Sequence, residues 1–303
     1  MTGERRRSMG YGALTAAGSI WGTGFVFGKW ALDELSVGQM VLLRFAFASV
    51  GLMAALWYQR ARNGGAAIRV ARADVPILLI AAIIGIPVQY LVQFSGLART
   101  TVSHASLMVG VLPVMLAAAA AIFTRERLDM IGWLGLFAST IGAALVAFGG
   151  GSAGADGSTL IGDLLVVASL FAGVVWILAS QKLMARHYSP VTTSALVIIV
   201  GTVFLAIWVV ATEGLPPLAH LSVRTWISLA ALGLFATALA TGLWNWGLSR
   251  VPASQAGVFI NLEPVVGAIM GVLLFHDVFG VASVAGGVLI IAAAVVVSRR
   301  HPS

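Results

Sequence analysis

Apolar residues in this chain fall in long uninterrupted runs, with polar residues gathered between them. Ten runs, at about 10–30, 39–58, 75–96, 104–123, 130–149, 159–180, 190–211, 225–247, 253–275 and 279–297, approach or exceed the roughly 20 residues that a helix needs to cross a bilayer. None alternates with the two-residue period of a membrane barrel. A backbone in hydrocarbon must satisfy its own hydrogen bonds. The pattern therefore predicts an all-α integral membrane protein with ten transmembrane helices.

The runs repeat. Residues 96–117 lie over residues 247–268 without a gap, at a constant offset of 151. Gly96, Leu97, Arg99, Ser103, Ala105, Pro113, Val114 and Ala117 meet Gly247, Leu248, Arg250, Ser254, Ala256, Pro264, Val265 and Ala268. The offset is about half of the 303 residues, which predicts a duplication. Residues 1–149 form the first five-helix repeat, the Gly-rich stretch 150–158 a linker, and 159–303 the second repeat. Five helices is an odd number, so the second repeat is expected to enter the membrane upside down.

Charge agrees with that inversion. If the N-terminus with Arg5, Arg6 and Arg7 is cytoplasmic, the same side carries Arg60, Arg62, Arg69, Arg72, Arg125, Arg127, Lys182, Arg186, Arg250, Arg299 and Arg300. These are fourteen of the 18 basic residues, a positive-inside distribution with both termini cytoplasmic. Arg99 falls outside and its repeat equivalent Arg250 inside, as inverted repeats require. The net charge of +7 thus reflects topology, and no nucleic-acid partner is expected.

Composition fits the same class. Hydrophobic residues are 59% and charged residues 10% of the chain, with mean hydropathy +0.99, against about 45–50% and 25% in soluble domains. There is no cysteine, hence no disulfide and no thiolate site. The first run is too long for a signal peptide, and no small-residue cleavage site follows it before Asp33 and Glu34, so it is expected to be retained.

No enzyme constellation stands out. His104, His187, His220, His276 and His301 form no HExxH or four-residue pair, and there is no Walker loop or GxSxG. Catalytic residues, metal and cofactor are all expected to be absent. The chemistry lies in polar residues placed in the membrane, which are costly and so informative. Glu263 sits about ten residues from either end of span nine, where a charge costs roughly 2.5–3.5 kcal/mol on insertion scales. It is a candidate proton or charge site, or a packing carboxyl. Pro264 beside it removes a helical hydrogen bond, and Pro113 does the same in span four. Both are candidate gating kinks.

Four-residue spacing places further candidates on shared faces. Span nine has Gln255, Phe259 and Glu263; their equivalents in span four are His104, Met108 and Leu112. Span eight has Thr237, Thr241 and Asn245, and span three has Gln89, Tyr90 and Gln93. Such stripes suit a polar small molecule and also interhelical hydrogen bonds. Trp30, Trp57, Trp133, Trp208, Trp226 and Trp246 are expected at interfaces. Trp21, Trp176 and Trp244 lie deeper, where they can pack or line a path. Arg44, early in span two, is expected either to pair a substrate carboxylate or to snorkel outward. In span one, Gly18 and Gly22 fall on one face, Gly24 and Gly28 on the opposed one, which predicts close packing on two sides. The expected cavity set is Trp21, Gln89, Tyr90, Gln93, His104, Met108, Trp176, Thr241, Trp244, Asn245 and Phe259.

The chain resembles the EamA-type branch of the drug/metabolite transporter superfamily. The marks are Trp21-Gly22 with Lys29, Arg44, Pro113 followed by Arg125-Glu126-Arg127-Leu128, and Leu262-Glu263-Pro264-Val265. It departs at His276-Asp277-Val278-Phe279, where a Gly-Glu-Arg-like end is usual, and at Phe171-Ala172, where Trp-Ala is usual. The resemblance implies a multi-pass transporter of the bacterial inner membrane, most similar to amino-acid exporters of the YddG type. The expected function is export of neutral or aromatic amino acids and related metabolites by alternating access through a central cavity. A cavity with few cations does not suit phosphates or nucleotide sugars. Rival readings are export of lipophilic cations through Glu263, a facilitated-diffusion uniporter, and a membrane enzyme or scaffold. The expected partners are the small-molecule substrate and membrane lipid. A monomer suffices for this scheme and a dimer is compatible with it.

Overall fold

The computed structural model describes residues 3–62, 70–124, 130–149, 159–186, 188–248, 250, 259–278 and 280–298. The linker 150–158, the segment 125–129 with its Arg-Glu-Arg-Leu, Gln255 and the two C-terminal arginines lie outside these residues. Every regular element among the described residues is helical. We label them α1 (Gly3–Ala31), α2 (Val37–Arg62), α3 (Arg72–Leu97), α4 (Val102–Val109), α5 (Leu112–Thr124), α6 (Met130–Gly149), α7 (Leu160–Met184), α8 (Pro190–Thr212), α9 (Val223–Gly247), α10 (Leu262–Phe275) and α11 (Val281–Ser298). Of these, α2, α3, α7, α8 and α9 are long and apolar enough to cross a membrane.

Helix starts are set by local chemistry. Thr101, Thr159, Ser189 and Ser222 accept from the backbone N–H of His104, Gly162, Thr192 and Thr225 at 3.0–3.2 Å, capping α4, α7, α8 and α9. Pro190 opens α8, where its missing N–H costs nothing.

Two interior segments depart from α-geometry. Helix α3 is π-helical over Ile84–Val88, where Pro87 cannot donate, and α9 is π-helical over Ala231–Leu239. Two other helices are interrupted. A turn at Gly110 and Val111 separates α4 from α5, and Asn261 forms a turn just before α10. The expected kinks therefore lie up to three residues ahead of Pro113 and Pro264. This changes two of the predicted stripes. Met108 and Leu112 lie on either side of the first turn, and Phe259 and Glu263 on either side of the second.

Small residues bring the helices together. α1 packs on α9 and α10, α4 on α10, α2 on α8 and α9, the C-terminal half of α3 on α7, and α6 on α11. A methyl at Gly18 would overlap the carbonyl oxygen of Phe259, and one at Gly22 would lie 2.7 Å from that of Glu263. Gly24 meets Ala236 and Leu232 of α9, and Gly28 meets the ring of Phe94. The glycines of α1 thus serve two faces. Ser103 Oγ donates to Ala268 O at 3.1 Å where α4 crosses α10. Trp57, Trp133 and Trp208 are exposed on the perimeter, whereas Trp30 packs between Phe27 and Phe275.

One end of the bundle is tied by polar loops. Glu34, after α1, accepts from Ser222 N at 2.8 Å and Ser222 Oγ at 2.5 Å; Arg224 pairs with Asp33, and Ser36 donates to Glu213. Elsewhere Asp74 pairs with Arg186 and accepts from Tyr188 at 2.8 Å.

Candidate functional site

Buried polar side chains gather in two places. The first lies where α3 ends and α4 begins. The carboxylate of Asp163, in the first turn of α7, accepts from Thr100 Oγ1 at 2.6 Å and lies 3.0 Å from Nδ1 of His104. Both Asp163 and His104 are buried. Lys29, near the end of α1, donates to Leu97 O at 2.9 Å and Thr100 O at 2.8 Å, closing carbonyls at the end of α3. Asp277 accepts from Ser103 N at 2.9 Å, at the start of α4, and acts on Lys29 as an opposite charge. Ionic and hydrogen-bonded contacts thereby join α1, α3, α4, α7 and the end of α10.

The second place is formed by α2, α3, α9 and α10. Arg44 is 6% exposed and does not snorkel. Its guanidinium lies 4.5 Å from the centre of the Tyr90 ring and 5.3 Å from those of Phe45 and Phe94. Nε donates to Thr237 Oγ1 at 2.9 Å, and Thr237 in turn donates to Leu232 O, five residues back in the π-helical stretch. Glu263 is the second residue of α10. The break at Asn261 has converted a mid-span position into a helix N-terminus, where negative charge is favoured.

Two aromatic pairs lie on α1, α9 and the residues ahead of α10. The rings of Trp21 and Trp244 are 5.2 Å apart, and those of Tyr11 and Phe259 5.7 Å apart. Trp21 precedes Gly22, whose Cα packs on the Glu263 backbone. Gln89 and Gln93 are buried on α3, and Gln89 Oε1 and Trp176 Nε1 are buried without a hydrogen-bond partner among the described residues. Trp176 packs against Gly85 through Cδ1, Cγ and Cβ, one turn from Gln89. Asn245 Nδ2 donates to Ser194 Oγ on α8 at 3.2 Å, and is engaged as interhelical glue. Thr241 is half-buried, one turn beyond Thr237. Met108 is 1% exposed and belongs to the core, and His104 is held in the first cluster.

Of the residues named from the sequence, Tyr90 lies under Arg44, and Trp21 pairs with Trp244. The sequence reading missed Asp163, an acid that reads as an ordinary first-turn residue after the Thr159 cap. It also missed Asn261, whose two buried side-chain polar atoms lack partners. An Asn three residues ahead of a proline was the available signal for that break. Among the described residues no group of His, Asp and Glu could hold a metal ion.

The arrangement of buried charge, broken helices and uncharged polar side chains suits passage of a small molecule. The profile of the EamA-like transporter family matches residues 8–148 and again 160–299. The chain belongs to the EamA-like transporter family. This EamA-like protein is thus a membrane transporter of the drug/metabolite transporter superfamily, and its relatives carry the names of transporters rather than enzymes. It is 27% identical to the uncharacterized transporter YetK of Bacillus subtilis (strain 168), over 98% of this chain and 90% of that one. It is 26% identical to a probable terminal-alkyne amino-acid exporter of Streptantibioticus cattleyicolor, over 95% of this chain and 93% of that one. A solved crystal structure superimposes on the EamA-like chain with a TM-score of 0.64 at 18% identity, over 96% of this chain and 97% of the other, which shows the shared fold.

Proposed function

We propose that this protein is a secondary transporter of the bacterial inner membrane that exports neutral and aromatic amino acids and related small metabolites by alternating access. In this reading the chain has ten spans in two inverted five-helix repeats, 1–149 and 159–303, joined by 150–158, with both termini cytoplasmic. The breaks support it: set against residues 151 positions later, Gly110 and Val111 meet Asn261 and Leu262, and Ile84–Val88 meets the end of the α9 π-helical stretch. The packing partners exchange in the same way, α3 with α7 answering α9 with α1.

The observation that carries the substrate class is the Trp21–Trp244 pair beside uncharged polar groups, with the side chains of Tyr90, Gln89, Gln93, Thr241 and Phe259 on the surrounding helices. Aromatic rings at this spacing take an apolar or aromatic side chain. The likeness to an amino-acid exporter along nearly the whole chain points the same way. Trp176, Asn245, Met108 and His104 complete the proposed wall or hold it, and Pro113 and Pro264 let the two broken helices tilt. The protein needs no cofactor in this scheme.

Proteoliposomes loaded with radiolabelled tryptophan, phenylalanine or threonine test this. Efflux should exceed that from protein-free liposomes, and an absence of excess efflux for every amino acid tried refutes the proposal. The cysteine-free chain permits a second check. Thr241→Cys should react with a membrane-impermeant thiol reagent, and protection by substrate locates the path.

One observation favours a second reading. Glu263 has no hydrogen-bond or ion-pair partner among the described residues, and an open carboxylate suits lipophilic cations. Loss of cation export in Glu263→Gln with intact amino-acid efflux would select that reading.

A further inference from the structure

We infer that the buried His104–Asp163 pair is the transporter's proton site, where a proton taken up from the outer side is exchanged for exported substrate. The inference rests on the secondary-transport reading above and adds the coupling ion to it.

Three observations carry it. First, an imidazole and a carboxylate are buried in direct contact. Nδ1 of His104 lies 3.0 Å from Oδ2 of Asp163, and both residues are 1% exposed. Second, the pair lies one turn beneath an exposed end of the bundle. Asp163 follows Thr159 by four residues, and Thr159 Oγ1 donates to O of Arg99 at 2.6 Å, both of these residues being exposed. That end faces outward in the proposed topology. Third, the pair ties down a segment that ends in a helix break. Helix α4 runs only from Val102 to Val109 and stops at the Gly110–Val111 turn. Among the described residues, its polar ties to other helices gather in its first turn: Ser103 N to Asp277 at 2.9 Å, Ser103 Oγ to Ala268 O at 3.1 Å, and His104 to Asp163.

The two partners have different tasks. Asp163 stands in the first turn of α7, where negative charge is favoured, and accepts from Thr100 Oγ1 at 2.6 Å. The imidazole is therefore the member that takes up and gives away the proton. Histidine is the side chain whose ordinary charge change falls between about pH 5 and pH 8. With the imidazole neutral, Nδ1–H donates to the carboxylate and the pair carries one buried negative charge. A proton on the second ring nitrogen makes the pair neutral overall. It also makes the bond charge-assisted at both ends, and such bonds are roughly twice as strong as neutral ones. The other charged groups at this turn are Lys29 of α1, which donates to Thr100 O at 2.8 Å, and Asp277, which accepts from Ser103 N. They are of opposite sign and offset each other. Arg99 turns away to Ser95 O at 2.7 Å, and α6 and α11 bring no titratable side chain.

Protonation thus fastens α4 to α7 and holds the outer end shut. Loss of the proton to the inner side loosens the tie, and α4 can turn about Gly110 when substrate is bound. After substrate leaves outward, a proton from the outer water shuts the end again. No covalent bond other than N–H is made or broken.

Full-length protein in proteoliposomes serves both tests. In the first, isotope-labelled histidine nitrogens are followed by solid-state NMR from about pH 8 to about pH 6. The His104 signal is identified in a chain carrying His187→Asn, His220→Asn, His276→Asn and His301→Asn. The imidazole should pass from neutral to charged over that range with Nδ1 bonded to the carboxylate throughout. An imidazole that keeps one form across the range overturns the proposal, whatever the substrate is. In the second, phenylalanine efflux from loaded vesicles is compared with the outside at about pH 6 and at about pH 8, the inside being held at about pH 8. Wild-type protein should export about tenfold faster into the acid medium, the factor that separates a charge-assisted from a neutral hydrogen bond. That ratio should fall to about one in His104→Gln and in Asp163→Asn, whatever their absolute rates, and keep the wild-type value in Glu263→Gln. A wild-type ratio of about one overturns the proposal, as does the wild-type ratio in both pair variants, or its loss in Glu263→Gln alone. If neither pair variant folds, the NMR titration and the Glu263→Gln ratio decide. If wild-type protein moves no amino acid, the amino-acid reading fails, and the NMR titration still decides the proton site.

Discussion

Nδ1 of His104 lies 3.0 Å from Oδ2 of Asp163, and the two side chains, on α4 and α7, are both about 1% exposed. The other carboxylate oxygen accepts from Thr100, so a single acid fixes two neighbours across two elements. Removing the acid leaves two buried hydrogen-bonding partners unsatisfied, at a cost of about 1–3 kcal/mol each. Asp163→Ala should lower thermal stability in detergent by an amount of that order. Asp163→Asn should cost less, because it still offers Thr100 an acceptor. A melting temperature unchanged in Asp163→Ala would show that the pair holds nothing together.

Lys29 closes the end of α3 through Leu97 O and Thr100 O. Lys29→Met leaves these carbonyls open and should destabilise the protein by about 2 kcal/mol, the value of charge-assisted hydrogen bonds in a half-buried setting. Amide exchange over residues 97–101 should rise in parallel. Lys29→Arg should restore part of the protection, and equal exchange in all three proteins would show that the ammonium group does not hold this junction.

Much of this architecture could be read in the sequence, because it depends on periodicity. The five helices long and apolar enough to cross a membrane, α2, α3, α7, α8 and α9, lie within a few residues of predicted runs, and the 151-residue offset relates helix breaks that no propensity marks. The details that escaped depend on contacts between distant residues. Nothing local distinguishes Asp163 from any capping-region acid; its meaning comes from Thr100 and His104, some sixty residues earlier. For Arg44, an outward-snorkelling side chain was compatible with its place in the chain, and its bond to Thr237, 193 positions away, holds it buried instead. Prolines announced that a break would occur, but not that the turns would fall at Gly110 and Asn261.

Glycines in α1 give a paired test. Gly22 lies against the Glu263 backbone, whereas Gly12 has open space where a side chain would go. Gly22→Ala should destabilise by about 1–3 kcal/mol through overpacking. Gly12→Ala should be neutral or stabilising by up to about 1 kcal/mol, since alanine is the better helix former. Thermal melts of the two variants in one detergent should separate in that order, and coincident melts would argue against close packing of α1 on α10.

The Glu34 carboxyl is held below its ordinary value of 4.5, chiefly by the hydroxyl and then the backbone N–H of Ser222. A depressed carboxylate stabilises the fold above the unfolded value and ceases to do so as pH falls through the folded one. The stability gap between wild type and Glu34→Gln should therefore be constant from pH 8 to pH 6 and shrink below about pH 4.5. Melting curves across that range check it. A gap that widens on acidification would reverse the assignment.

The turns at Gly110–Val111 and Asn261 have a kinetic consequence. Bending an intact helix in hydrocarbon means rupturing backbone hydrogen bonds where no water can replace them. Pro113 and Pro264 have no N–H to rupture, and the chain ahead of each has already left helical geometry. If, as proposed, the segments on either side of each turn swing about it, those bonds are already absent and the activation barrier need not include them. A transporter hinged in this way would owe its temperature dependence to the side-chain contacts at its closed ends, the Lys29 and Asp163 junction among them, rather than to its backbone.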